Sequence, residues 1–171
     1  MACSNLTAGF ILDCNSQNGG IEKIFIANGP VESITETGGV VSAITVAGSA
    51  LTPADFFEFE TPRQTSSILE NATISQENST VVYDQSLTMV FNKLEATKRN
   101  QLLLMSEATS MVVVAKDNNG KYWSIGLLRG AYTASATTTS GTAYADASQY
   151  TITLAGMETA PIYEVTGTIV E

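Results

Sequence analysis

The chain has 171 residues, with 17 acidic and 8 basic side chains, a net charge of −9 and no histidine. This length suits a single domain, residues 1–171, whose hydrophobic core needs no metal or disulfide staple. The acidity argues against tight nucleic-acid binding, which needs a clustered basic face, and the lack of histidine removes Ser-His-Asp and Cys-His catalysis together with the commonest general base.

Met1 to Thr7 lacks the basic start and apolar middle of a signal peptide, and no run of about 18 apolar residues follows. The expectation is a soluble protein made in a cytoplasm, with residues 1–10 as an N-terminal arm. Cys3 and Cys14 have no CxxC spacing and no histidine to join them, so a zinc site is not expected. They could be bridged in an oxidising compartment, but two reduced thiols fit a cytoplasmic protein better.

Period-two alternation, rich in Val, Ile, Thr and Tyr, predicts strands over Ile21 to Ala27, Val31 to Thr35 and Val40 to Val46, with Gly19-Gly20 and Gly38-Gly39 as turns. "AGSALTPADFFEFETPRQTSS", Ala47 to Ser67, contains Pro53 and Pro62 and reads as a long loop, yet it holds Phe56, Phe57 and Phe59. A loop of that length is usually functional or disordered, and three rings argue against plain disorder. They either cap the domain's own core or insert into a neighbouring subunit. Glu58 with Glu60 is the nearest thing to an acid-base carboxylate pair, but it reads as one polar face.

Strands are predicted again over Ile68 to Glu77 and "VVYDQSLTMVFN", Val81 to Asn92. In the second, Val81, Tyr83, Leu87, Met89 and Phe91 share one face, and Asp84, Ser86 and Thr88 the other. "NKLEATKRNQLLLMSEATS", Asn92 to Ser110, is the one stretch that reads as a helix, with Asn92 as N-cap and Glu95 three residues on. Lys93, Lys98 and Arg99 against Glu95 and Glu107 give it a net charge of +1, leaving −10 on the rest. Its apolar half, with Leu102, Leu103 and Met105, is expected to be covered from more than one direction.

Met111 to Lys116 and Lys121 to Leu128 form a predicted hairpin through Asp117 to Gly120, a turn rather than a calcium loop because the later acidic ligands are missing. Trp123 reads as core. Thr133 to Ser148, small and polar, reads as a mobile hairpin tip, and Tyr150 to Ala155 and Ile162 to Val170 as strands. Short, regularly spaced strands of this kind define a mostly β fold, an antiparallel sandwich or barrel with one flanking helix. No metal or cofactor motif is present.

The helix sequence "NKLEATKRNQLLL", the hairpin ending in "GKYW", Ser140 to Ala143, Tyr150 to Leu154, and Gly156, Glu158 and Pro161 occur in an order that resembles the major tail tube proteins of tailed bacteriophages. The resemblance spans Ala47 to Tyr163. It implies a structural virion protein rather than an enzyme, whose identical copies form stacked hexameric rings. Their inner sheets would join into a continuous barrel through which viral DNA passes without sticking. It also implies that Ala47 to Ser67 reaches between rings, making Phe56, Phe57 and Phe59 interface anchors. The basic helix surface would lie outside and acidic strands would line the lumen. Implied partners are the other tail proteins, such as tape measure, terminator and sheath, with no membrane and no cofactor; the place is the virion tail, assembled in the host cytoplasm. The alternatives are the inner tube of a contractile injection system, a capsid decoration or fibre-like module, and a carbohydrate-active sandwich.

Overall fold

The strand-forming runs fold as two sheets joined by a common core in the computed structural model, which describes residues 8–12 and 16–171. Cys3, Cys14 and residues 1–7 of the expected arm lie outside the described residues. In chain order the strands are β1 (Ile21–Asn28), β2 (Val31–Thr37), β3 (Val40–Val46), β4 (Ser49–Ala50), β5 (Phe57–Glu60), β6 (Ser67–Ser75) and β7 (Thr80–Asn92). The helix α1 (Ala96–Glu107) follows, then β8 (Met111–Asp117), β9 (Tyr122–Ile125), β10 (Tyr132–Thr139), β11 (Gln149–Glu158) and β12 (Glu164–Val165).

One sheet runs β2-β3-β12-β9-β8-β1-β5, with β4 added to β3; the other runs β10-β11-β7-β6. All ladders are antiparallel except the short β12–β3 pair. Strands β1 and β8 carry apolar residues on both faces because both faces are covered. Ile24, Ile26, Met111, Val113 and Ala115 face Leu87, Met89, Ile152 and Leu154 of the four-stranded sheet. Phe25, Ala27, Val112 and Val114 belong to a second core with Val41, Ile44 and Val46 of β3 and Ile169 and Val170 near the C-terminus. Each such side chain contributes about 1.5–3 kcal/mol when fully buried, so the two cores rather than the loops set the stability.

Several expected boundaries move. Asn92 does not cap the helix: it ends β7 opposite Gln149, and the ladder is prolonged by Lys93 N–H donating to Ser148 O at 2.8 Å. Lys93 then turns the chain at φ 68°, and Glu95 enters the helix in extended conformation, its carboxylate paired with Lys93 rather than with a backbone N–H. On α1 only Met105 is buried, with Leu102 packed against the core from its margin. Leu103 and Leu104 remain 47% and 57% exposed, so the apolar half of the helix is covered from one side only.

Ala47 to Ser67 is not one loop. It holds β4, a 3-10 turn at Pro53–Asp55 and β5, which adds an outer strand to β1 with Phe57 opposite Ile26 and Glu60 opposite Lys23. Thr133 to Ser148 is likewise half strand. Its turn is closed by Asp146, whose carboxylate accepts the N–H groups of Ala143 at 2.7 Å and Thr142 at 2.8 Å and is thereby held below its ordinary pKa. Of Ile162 to Val170 only β12 pairs as strand, the remainder being a 3-10 turn at Gly167–Ile169.

Candidate assembly surfaces

With no catalytic cluster predicted, the surfaces that could meet another molecule are the natural place to look for function. Among the described residues, no three Asp, Glu, Cys or His side chains are grouped to hold a metal ion. Among the same described residues, no helix is long and apolar enough to cross a membrane.

The four-stranded sheet has two free margins, β10 and β6. Each leaves a row of backbone N–H and C=O groups without a ladder partner, which is a template for another strand. The sheet's outer face, turned from the core, carries rows of hydroxyls at one end and the exposed apolar side chains of Leu69, Val82 and Met157 toward the other. Ser135, Thr153, Thr88 and Ser67 stand in one row across all four strands, and Thr137, Thr151 and Val90 in the next. Asp84 is the acid on this face, near its far end and opposite Asn71 and Met157. Acidic side chains on the other sheet include Glu32 and Glu36 on β2 and Glu58 and Glu60 on β5.

Beyond the end of β11, β6 and β7 continue as a two-stranded hairpin. Its inward register places Ala72 opposite Tyr83 and Ile74 opposite Val81, and Ile74 is 67% exposed. Such an apolar pair over solvent is the continuation of a core-facing stripe with nothing of the same chain above it.

The three rings expected as interface anchors separate. Phe56 is buried in the second core with Val41 and Leu127. Phe59 leans into the space between the sheets, its ring centroid 5.9 Å from that of Phe91. Phe57 alone is open, at 66% exposure, because it starts an edge strand and has no layer above it. Glu58, on the other face of β5, pairs with Lys23 at 2.6 Å.

A buried polar cluster ties the sheets together at the hairpin end. Gln85 occupies an inward position of β7; its Nε2 donates to Glu70 Oε2 at 3.0 Å and its Oε1 accepts the Gly126 N–H at 3.1 Å. Glu70 Oε2 also accepts the Ile162 N–H at 2.7 Å. Glu158 is buried, with Oε1 accepting from Leu128 and Arg129 N–H at 3.0 Å each and Oε2 without a partner. Burial pushes its carboxyl above the ordinary value in spite of those bonds and the Arg129 charge. Gly126 sits here at φ 65°, and a Cβ on Gly156 would come within 2.9 Å of its Cα, so the two glycines allow the sheets to close on this cluster.

Elsewhere the C-terminal segment is pinned. Glu171 accepts from Tyr122 Oη at 2.7 Å and pairs with Lys116 at 3.0 Å, which lowers the Glu171 carboxyl and raises the Lys116 ammonium from their ordinary values. Asp117 closes the β8–β9 turn. Burial alone would raise its carboxyl, but the Lys121 N–H, the Trp123 Nε1–H and the Asn119 N–H hold it low.

Sequence reading named Phe57, and Gly156 and Glu158 as motif residues, but it did not say which strands are the free margins and did not single out Gln85. A margin is a property of topology and leaves no local mark. Gln85 does leave one, as the polar gap in an inward series of Tyr83, Leu87, Met89 and Phe91.

No protein-family model and no curated protein matches the chain. Among solved structures it is similar to a chain of the anti-feeding prophage baseplate, determined by cryo-EM and 6-fold symmetrised. The identity is 11%, with 88% of this chain and 96% of that chain covered, at a TM-score of 0.41. A likeness of that depth carries no functional conclusion.

Proposed function

We propose that this protein is a non-enzymatic structural subunit that assembles with identical copies into stacked hexameric rings. These would form the tail tube of a bacteriophage or the inner tube of a contractile injection system. The observation that supports this most is the pair of free margins, β10 and β6, on one sheet.

Alternate strands of this sheet reverse direction, so β10 and β6 run oppositely. A rotation about a ring axis preserves strand direction, and β10 of one copy therefore meets β6 of the next as an antiparallel pair. That contact is head-to-tail, and repeated around an axis it closes a ring and removes both edges of this sheet. The face then turned toward the axis is the one with the Ser and Thr rows and Asp84, which offers hydrogen bonds to water and no cation to hold a phosphate. The net charge of −9 adds a weak repulsion at low salt. DNA would slide past such a surface rather than bind it. The overhanging hairpin, with Ile74 and Val81, reaches along the axis toward a neighbouring ring. The other partners would be tail proteins such as the tape measure, terminator and sheath, with assembly in the host cytoplasm and the product in the virion tail.

The test is negative-stain microscopy of the concentrated protein and of two variants, Thr137→Pro and Thr138→Pro. Successive N–H groups of a strand point to opposite sides, so one of these prolines removes an edge N–H without touching the β11 ladder. Hollow rods or six-fold rings from the native chain, lost in that one variant with its melt unchanged, are expected. Persistent monomers or trimers of the native chain would point to a decoration or fibre module instead.

A further inference from the structure

Ala8 to Leu12 has no regular secondary structure, and its large apolar side chains stand clear of their own chain: Phe10, Ile11 and Leu12 are 105%, 91% and 96% exposed. Three consecutive large apolar residues held fully in water cost free energy that burial would recover, at about 25 cal/mol per Å². The same chain has an unfilled apolar groove. It lies between edge strand β5 and helix α1 in two adjoining parts of about 230 and 430 Å³, lined by Phe57, Phe59, Phe91, Leu102 and Leu104 together with Gln101 and the charged Glu58, Glu60 and Lys98. Beside it runs the free margin of β5.

We infer that the Ala8–Leu12 arm of one copy docks in the β5–α1 groove of a second copy. The stereochemistry is that of strand addition: main-chain groups of the arm pair with the unpaired edge of β5, and alternate side chains share one face. Phe10 and Leu12 then fall on the same side and enter the groove, where Phe59 and Leu102 already form an apolar floor, and Ile11 turns to the opposite face of the sheet. The arm Ala8–Leu12 is itself uncharged, and of the charged side chains that line the groove, Glu58 is already paired with Lys23. A second copy is the occupant because Phe10, Ile11 and Leu12 stay exposed while the groove of their own chain stays open, and because identical chains supply arms and grooves in equal number. The inference deepens the ring reading by giving each subunit a tether to a neighbour that is independent of β10 and β6.

A fluorescent peptide of residues 8–20, with the Cys14→Ser change, tests this by anisotropy against the full-length F10S/L12S variant, whose groove is free. Saturable binding is expected, weakened at least about tenfold by adding Gln101→Trp or Leu104→Lys, both exposed positions in the groove wall that leave the core untouched. No saturable binding, or binding indifferent to both blocks, would overturn the inference. Against the intact chain, peptide binding should fade as protein concentration rises and arms of other copies compete. Equal blockage at every dilution would put the arm in its own groove and overturn the second-copy assignment. Rings seen by microscopy with a peptide that does not bind would remove this inference and leave the ring reading standing; a binding peptide on a protein that never forms rings would do the reverse.

Discussion

Gln85 and Gly126 join the two sheets: the side-chain Oε1 on β7 accepts the backbone N–H of the residue that follows β9, at 3.1 Å. The amide is 3% exposed and its other end holds Glu70. Truncation leaves a buried N–H and a partly unsatisfied carboxylate in place of two bonds, and each orphaned group costs about 1–3 kcal/mol. Gln85→Ala is therefore expected to destabilise the monomer by about 2–4 kcal/mol, read as a lower urea midpoint with unchanged slope. A melt within error of the native one would show that water replaces the side chain.

Glu158 gives a pH dependence of unusual sign. Its folded-state pKa lies above its ordinary value, so the native protein holds the proton more tightly than the unfolded chain. At pH below the unfolded value both states are protonated and the contribution is fully present. As pH rises toward and through the folded pKa the unfolded chain ionises first, and this contribution is lost. Glu171 and Asp117, with lowered values, act in the opposite sense and lose their contribution as pH falls. Glu158→Gln stays neutral and keeps an oxygen for the Leu128 and Arg129 N–H groups. Relative to the native chain, the variant should gain stability at neutral pH and lose that advantage toward acid pH. Denaturant midpoints for the two proteins that run parallel across that range would contradict the assignment.

Leu103 and Met105 of the "LLLM" run should respond differently to the same charge. Leu103 is 47% exposed, and an aspartate there remains in water, so Leu103→Asp should shift stability by no more than about 0.5 kcal/mol. Met105 is buried in the same core cluster as Met111 and Ile152. Met105→Asp places a carboxylate there without a cation, at a cost of several kcal/mol, comparable to the whole stability of a domain. Circular dichroism melts of the two variants decide this, and equal loss in both would mean that the helix sits deeper than described.

How far the sequence could be read depended on where each element gets its stability. Long alternations such as Val81 to Asn92, and the Asp117 to Gly120 turn, carry their own signal in period and turn chemistry. Strand β5 does not. Phe57–Glu60 is four residues between two prolines, and it is strand because β1 offers it a ladder. Strand β10 is Ala, Ser and Thr, too polar to announce a buried face, because its outer face and outer margin are both open. The helix start was misplaced for a related reason: the Asn92 and Lys93 pairing with Gln149 and Ser148 competes with a cap that local sequence favours. As for the assembly surfaces, Phe57 was legible as an aromatic in an odd place. Free margins and the Gln85 bridge exist only once the strand order is known.

Phe57 and Phe59 sit two residues apart on one strand and should separate assembly from folding. Phe59 packs on Phe91 with ring centroids 5.9 Å apart and closes the core beneath α1, so Phe59→Ser should cost about 2–4 kcal/mol and lower the melting temperature. Phe57 is 66% exposed and touches little of its own chain, so Phe57→Ser should leave the melt within about 0.5 kcal/mol of native. If the ring reading is right, that second variant, although fully folded, should form fewer or shorter rods, because an exposed aromatic at a contact is the kind of residue that carries binding energy. Sedimentation and negative stain on the same samples make the comparison. Rods of native length from Phe57→Ser would remove this ring from the interface while leaving the free margins of β10 and β6 to carry assembly alone.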